Sequence, residues 1–152
     1  GRKSRRSGDI KLYENGGTSY ISIADIHKNR QWVEKSKVFI PEAGSGSDSF
    51  PHPILGKPFV GPLGTASTET YLLIGPFDND TISENVVSYI TTRFFRFLVM
   101  LKKPSQHATS KVYSFVPVQD FSKSWSDEEL FDKYHLTEEE ISFIVSLVKS
   151  IE

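Results

Sequence analysis

The apolar positions of this chain change period several times, and each change predicts an element. Tyr20, Ile21, Ile23 and Ile26 predict a strand over residues 19–26, entered through the Asn15-Gly16-Gly17 turn. Lys37-Val-Phe-Ile-Pro41 predicts a second strand, whose proline marks an edge or an exit. Pro58-Phe-Val-Gly61 reads as a brief strand, and Thr68-Glu-Thr-Tyr-Leu-Leu-Ile74 as a longer one ended by Gly75-Pro76. From Ile82 the period lengthens. Ile82, Val86, Ile90, Phe94, Phe97 and Leu101 form a helical stripe that should face a sheet, opposite a polar face of Asn85, Ser88, Thr92 and Arg96. Thr81-Ile-Ser-Glu84 has capping-box spacing, so one long helix is expected over residues 81–102, stopped by Pro104. Lys111-Val-Tyr-Ser-Phe-Val-Pro117 returns to strand character. Ser126-Asp-Glu-Glu129 and Thr137-Glu-Glu-Glu140 repeat the capping spacing and open helices near 127–134 and 138–150.

This order predicts an α+β fold, with a mixed or antiparallel sheet, one long packed helix and a two-helix C-terminal tail. Residues 1–17 are polar and basic and read as an arm or linker. Residues 18–152 read as the folded domain, with 112–152 its acidic strand-plus-helices tail. Residues 41–68 hold five of the ten glycines and five of the eight prolines. Irregular stretches of that length are often functional or disordered.

Composition narrows the class. The 152 residues are 38% hydrophobic and include 11 phenylalanines, enough for one core. The absence of cysteine removes disulfides and thiolate metal sites and fits a reducing, cytoplasmic setting. Neither a signal-peptide pattern nor a membrane-length apolar run is present, so no membrane partner is expected. The chain opens on Gly-Arg-Lys-Ser-Arg-Arg rather than methionine, which reads as a fragment or a processed product. A net charge of −1 conceals a partition. Residues 1–111 carry 15 Lys or Arg against 10 Asp or Glu, whereas residues 112–152 carry 3 against 9. That polarity suggests an anionic partner for the first part.

Catalytic patterns are absent. His27, His52, His107 and His135 lack metal-site spacing, and Gly44-Ser-Gly-Ser47 lacks the Lys-Ser/Thr of a phosphate loop. The acids at 127–129 and 138–140 fall in first helical turns, where they complement the helix dipole. There is no nucleophile elbow and no Pro-Pro dipeptide.

A binding chemistry is present instead. Duplex DNA requires cations for phosphates and polar side chains for base edges. Arg93 and Arg96 lie in the second half of the expected long helix, and Lys102, Lys103, Gln106, His107 and Lys111 follow in the connection after it. Glutamine matches adenine bidentately, and a cation matches guanine. Lys57 and Ser47 in the glycine-rich stretch complete the candidate contacts, and Tyr13, Trp32 and Phe50 are aromatic residues that suit either packing or base contact.

Thr68-Glu-Thr-Tyr-Leu-Leu-Ile-Gly-Pro-Phe77, Glu84-Asn-Val-Val-Ser-Tyr89, Arg93-Phe-Phe-Arg-Phe-Leu98 and Val112-Tyr-Ser-Phe-Val-Pro-Val-Gln-Asp-Phe121 occur in that order. Together with the tail after Phe121, they resemble the C-terminal target-recognition region of bacterial restriction-modification adenine-specific (N6) DNA methyltransferases, including forms fused to an endonuclease. The resemblance spans about residues 18–150. It implies site-specific binding of double-stranded DNA and a partnership with the methyltransferase catalytic domain of the same parent chain. It also implies S-adenosylmethionine in that domain, with no cofactor and no catalytic residue here. The Asx-Pro-Pro-aromatic tetrapeptide and the glycine-rich donor loop of such enzymes are missing, so no catalytic role carries over. Two rival readings remain. One is a protein-interaction module docking a partner subunit through its acidic helical tail. The other is a hydrolase using Asp48 or His52 in the glycine-rich stretch.

Overall fold

A computed structural model describes residues 1–41, 56–102 and 116–150. The fold is α+β, but its strands make two three-stranded sheets rather than one. In the first, β1 (Ile10–Glu14) and β2 (Gly17–Ile21) form an antiparallel hairpin, and β5 (Thr65–Ser67) joins β1 in parallel. In the second, β3 (Ser36–Pro41) is central, with β4 (Phe59–Gly61) and β6 (Tyr71–Phe77) antiparallel on either side. Two 3-10 turns, Ile23–Asp25 and Arg30–Glu34, connect β2 to β3.

The expected N-terminal arm is ordered structure instead. Gly16 turns the hairpin with φ +87, a conformation open to glycine. Upstream, Arg2 and Tyr20 exchange backbone hydrogen bonds, each 2.8 Å. The Arg2 guanidinium pairs with the buried Asp9 carboxylate, which also accepts from the Arg6 amide. These bonds hold the Asp9 pKa below the usual carboxylate range, with the Arg2 bond the largest cause. A polar sequence thus becomes a paired edge because its one buried acid is satisfied locally.

β3 carries the architecture. Lys37, Val38, Phe39 and Ile40 are all buried, as expected of a central strand covered on both faces. Val38 and Ile40 belong to the main core with Val86, Ile90, Phe94 and Leu130. On the other face, Phe39 meets Tyr13, Phe59 and Tyr71 at ring-centroid distances of 5.3, 5.5 and 6.2 Å. This aromatic cluster bridges the two sheets. β6 runs through Gly75-Pro76 to Phe77 rather than ending before it, because it keeps pairing with Ser36 across an irregular register.

The helix expected over residues 81–102 is two helices, α1 (Asp80–Ile90) and α2 (Arg93–Lys102). Hydroxyl chemistry breaks it. Thr91 Oγ donates to the Val87 carbonyl at 2.8 Å, and Thr92 Oγ accepts from the Phe95 amide at 3.1 Å, starting a new helix. The start of α1 also differs from expectation: Asn79, not Thr81, caps it by accepting from the Ile82 amide at 2.9 Å. Ser36 Oγ then ties β3 to that first turn through Asp80 Oδ1 and Ser83 Oγ.

The polar face of α1 is not a solvent face. Asn85 donates to the Phe121 carbonyl at 2.9 Å, Ser88 Oγ accepts from the Trp125 amide at 2.9 Å, and Tyr89 donates to the Pro117 carbonyl at 2.7 Å. These bonds hold residues 117–125 across the helix. Two short helices follow, α3 (Asp127–Lys133) and α4 (Glu138–Leu147). Thr137 and Glu140 make the expected reciprocal capping box, and Ser126 caps α3. Phe131 is buried, and Phe121, Trp125 and Tyr134 pack against the core. The strand expected over residues 111–117 lies outside the described residues up to position 115. Among the described residues, no helix is long and apolar enough to cross a membrane.

Candidate functional site

α2 carries three of the expected DNA contacts, and its surroundings explain two of them. Asp127, at the start of α3, accepts from the Arg93 and Phe94 amides at 3.2 and 2.9 Å. It therefore anchors the positive end of α2 with a carboxylate. The two arginine side chains turn to the opposite end of the tail. Arg93 Nε donates to the Val148 carbonyl at 3.0 Å, and Arg96 donates to the Lys149 carbonyl and, through Nε, to Thr92 at 3.3 Å. Burial lowers the Arg96 pKa, Asp127 opposes that shift, and Arg93 adds to it. Both guanidinium groups complement the carbonyl end of α4, where cations are favoured.

Arg93→Ala is expected to lower stability by about 1–2 kcal/mol, since a charge-assisted hydrogen bond is lost at a half-buried site. Faster amide exchange in the last turn of α4 should accompany it. A loss of DNA binding with neither change would assign Arg93 to the DNA rather than to the tail.

Lys102 is the last residue of α2, and Lys57 is exposed just before β4. Lys103, Gln106, His107, Lys111 and Ser47 lie outside the described residues, as do Asp48, Phe50 and His52. Tyr13 packs among aromatic rings. Trp32 lines a cleft of about 360 Å³ together with His27, Lys28, Asn29, Thr68 and Tyr71, which was not foreseen from local sequence. Asn29 stands at its rim in a left-handed conformation (φ 54) and caps nothing with its side chain.

Lys37 was also missed. Its side chain is buried, and its Nζ donates to the carbonyls of Trp32, Lys35, Pro62 and Val33 at 3.0, 3.1, 3.2 and 3.4 Å. Burial pushes its pKa down to about 8, against the pull of Glu34 and Asp80. An amine near that value invites a nucleophilic role. Its surroundings favour a structural one: the ammonium ties the Arg30–Glu34 turn to Pro62, adding a donor to the Trp32, Val33 and Pro62 carbonyls, which also accept from the Lys35 amide, the Gly64 amide and the Thr65 hydroxyl. A second polar cluster sits under the tail. Gln119 joins Tyr134 and Lys133, and Lys123 and Lys133 lie over the Trp125 ring at 3.7 and 4.9 Å. Among the described residues, no group of His, Asp or Glu is arranged to hold a metal ion.

Comparison with protein-family models, with characterised proteins and with solved structures returns no match.

Proposed function

We propose that this chain is the target-recognition region of a restriction-modification adenine-N6 DNA methyltransferase, binding duplex DNA and presenting it to a catalytic domain. The observation that carries this reading is the ordered run of family-like segments from Thr68 to Phe121, in a chain without a catalytic motif. The fold is compatible with it. Two sheets and a capped helical layer form a rigid support, and recognition residues work best when the elements beneath them are fixed. Of the expected contacts, Lys102 is the last residue of α2, and Lys103, Gln106, His107 and Lys111 follow it in the sequence. Methyl transfer and S-adenosylmethionine belong, on this reading, to the catalytic domain, as does the pocket for an extruded adenine.

Binding to duplexes at several salt concentrations tests the assignment. Lys102→Ala is expected to weaken binding to every duplex and to lower the salt slope by about one, the signature of one lost phosphate contact. Gln106→Ala should leave that slope unchanged. It should instead relax the preference at one base pair among sequences selected from randomised duplexes. Parent-like behaviour of both variants would remove these residues from the interface.

A further inference from the structure

We propose that the groove between α2 and α4 is the docking site for a basic amphipathic helix of a partner protein. The two helices run antiparallel, since Arg93 at the start of α2 reaches Val148 beyond the end of α4. Between them lies a groove of about 340 Å³ with Phe97, Leu98, Leu136 and Phe143 in its lining. Phe143 is 57% exposed and meets Phe97 edge-on at 5.9 Å, so it stands as a wall of the groove rather than as part of the core. Leu101, near the end of α2, is likewise exposed.

The rim is acidic, and capping accounts for only part of it. Glu140 accepts from the Thr137 amide at 2.9 Å and belongs to the capping box. Glu138 and Glu139 are exposed and, among the described residues, make no hydrogen bond or ion pair. Glu139 lines the groove itself, and both acids flank Phe143 on the outer side of α4 with Ser142 and Ser146. No lysine or arginine lines either surface among the described residues. An apolar floor between two helices suits a third helix offering anchors at i, i+3 or i+4, and i+7. The one-signed rim selects lysine and arginine beside those anchors, and it repels nucleic acid. Neither the groove nor its rim contains a residue expected to contact DNA, so this inference stands or falls apart from that reading.

The test uses the full chain and a fluorescein-labelled synthetic helix with leucine anchors flanked by lysine and arginine. Fluorescence anisotropy should show saturable binding. Phe143→Ala, or the pair Glu138→Lys with Glu139→Lys, should each weaken it by about tenfold or more, the scale of a lost anchor. Phe143→Leu should retain most of the affinity, and unchanged circular dichroism should show each variant folded. A helix with glutamate in place of its cations should not bind. The proposal is overturned by absent binding, by equal affinity of parent and variants, or by equal binding of the acidic helix. It is also overturned if sedimentation shows a self-dimer that Phe143→Ala abolishes and the peptide does not displace, since a second copy would then be the occupant.

Discussion

Lys37→Met is expected to lower the unfolding free energy at pH 7 by about 1–3 kcal/mol, because the Lys35 carbonyl loses its donor and those of Trp32, Val33 and Pro62 keep only their second one, while the methionine recovers only apolar packing. The pH dependence makes this prediction specific. The folded pKa of Lys37 is lowered to about 8 from an ordinary 10.5. Between those values the unfolded chain binds more protons than the folded one, so stability attributable to Lys37 rises as pH rises. Below about pH 8 the folded protein bears the full cost of the buried charge. By about pH 10.5 that cost, roughly 3 kcal/mol, is relieved. The parent should therefore gain stability over that window relative to Lys37→Met, and the gap between them should widen. Tyr89 acts in the opposite sense, since burial raises its pKa to about 12 and its contribution falls as pH passes 10. Both proteins carry that tyrosine, so its effect cancels in the difference. Urea unfolding at several pH values reads the gap directly, and a constant gap would mean that Lys37 is not a buried cation.

Phe39→Ala should be the most damaging single truncation, costing about 3–5 kcal/mol. Its ring is fully buried and touches one residue of the first sheet, Tyr13, and two of its own sheet, Phe59 and Tyr71. Gly61 lies so close beneath the ring that a Cβ there would overlap Phe39. The site is shaped around the phenylalanine and has little freedom to collapse. Phe39→Leu should cost distinctly less. A loss below about 1 kcal/mol for the alanine variant, with an unchanged urea m-value, would show that the two sheets do not depend on this cluster.

How much of this was legible depended on where each residue's partners lie in the sequence. β3 reads directly from Lys37 to Pro41 because a short apolar run is what a doubly covered strand requires. The capping box at Thr137 reads equally well, since both of its partners lie within one turn. The break at Thr91-Thr92 does not, because the stripe passes from Ile90 to Phe94 without losing its period. What divides the helix is hydroxyl competition, together with a carboxylate from Asp127, more than 30 positions away. The polar face of α1 is legible as polar, but its partners are not, because the Phe121 carbonyl and the Trp125 amide arrive from a later segment. Arg93 and Arg96 illustrate the same limit: a cation on a helix looks identical whether it meets a phosphate or a distant carbonyl. Lys37 had no local signal, since its acceptors come from an irregular turn and from Pro62.

The order in which the strands are laid down has a consequence for how such modules change over generations. The chain contributes β1 and β2 to one sheet, β3 and β4 to the other, β5 to the first again, and β6 to the second. Neither sheet is therefore a continuous stretch of sequence, and no crossover point within residues 15–70 hands on one sheet intact without dividing the other. Recombination between related chains would preserve the support only when it exchanges whole connections and leaves every strand with its native neighbours. Surface changes can then enter by substitution or by loop exchange, while the two-sheet frame is inherited as a unit.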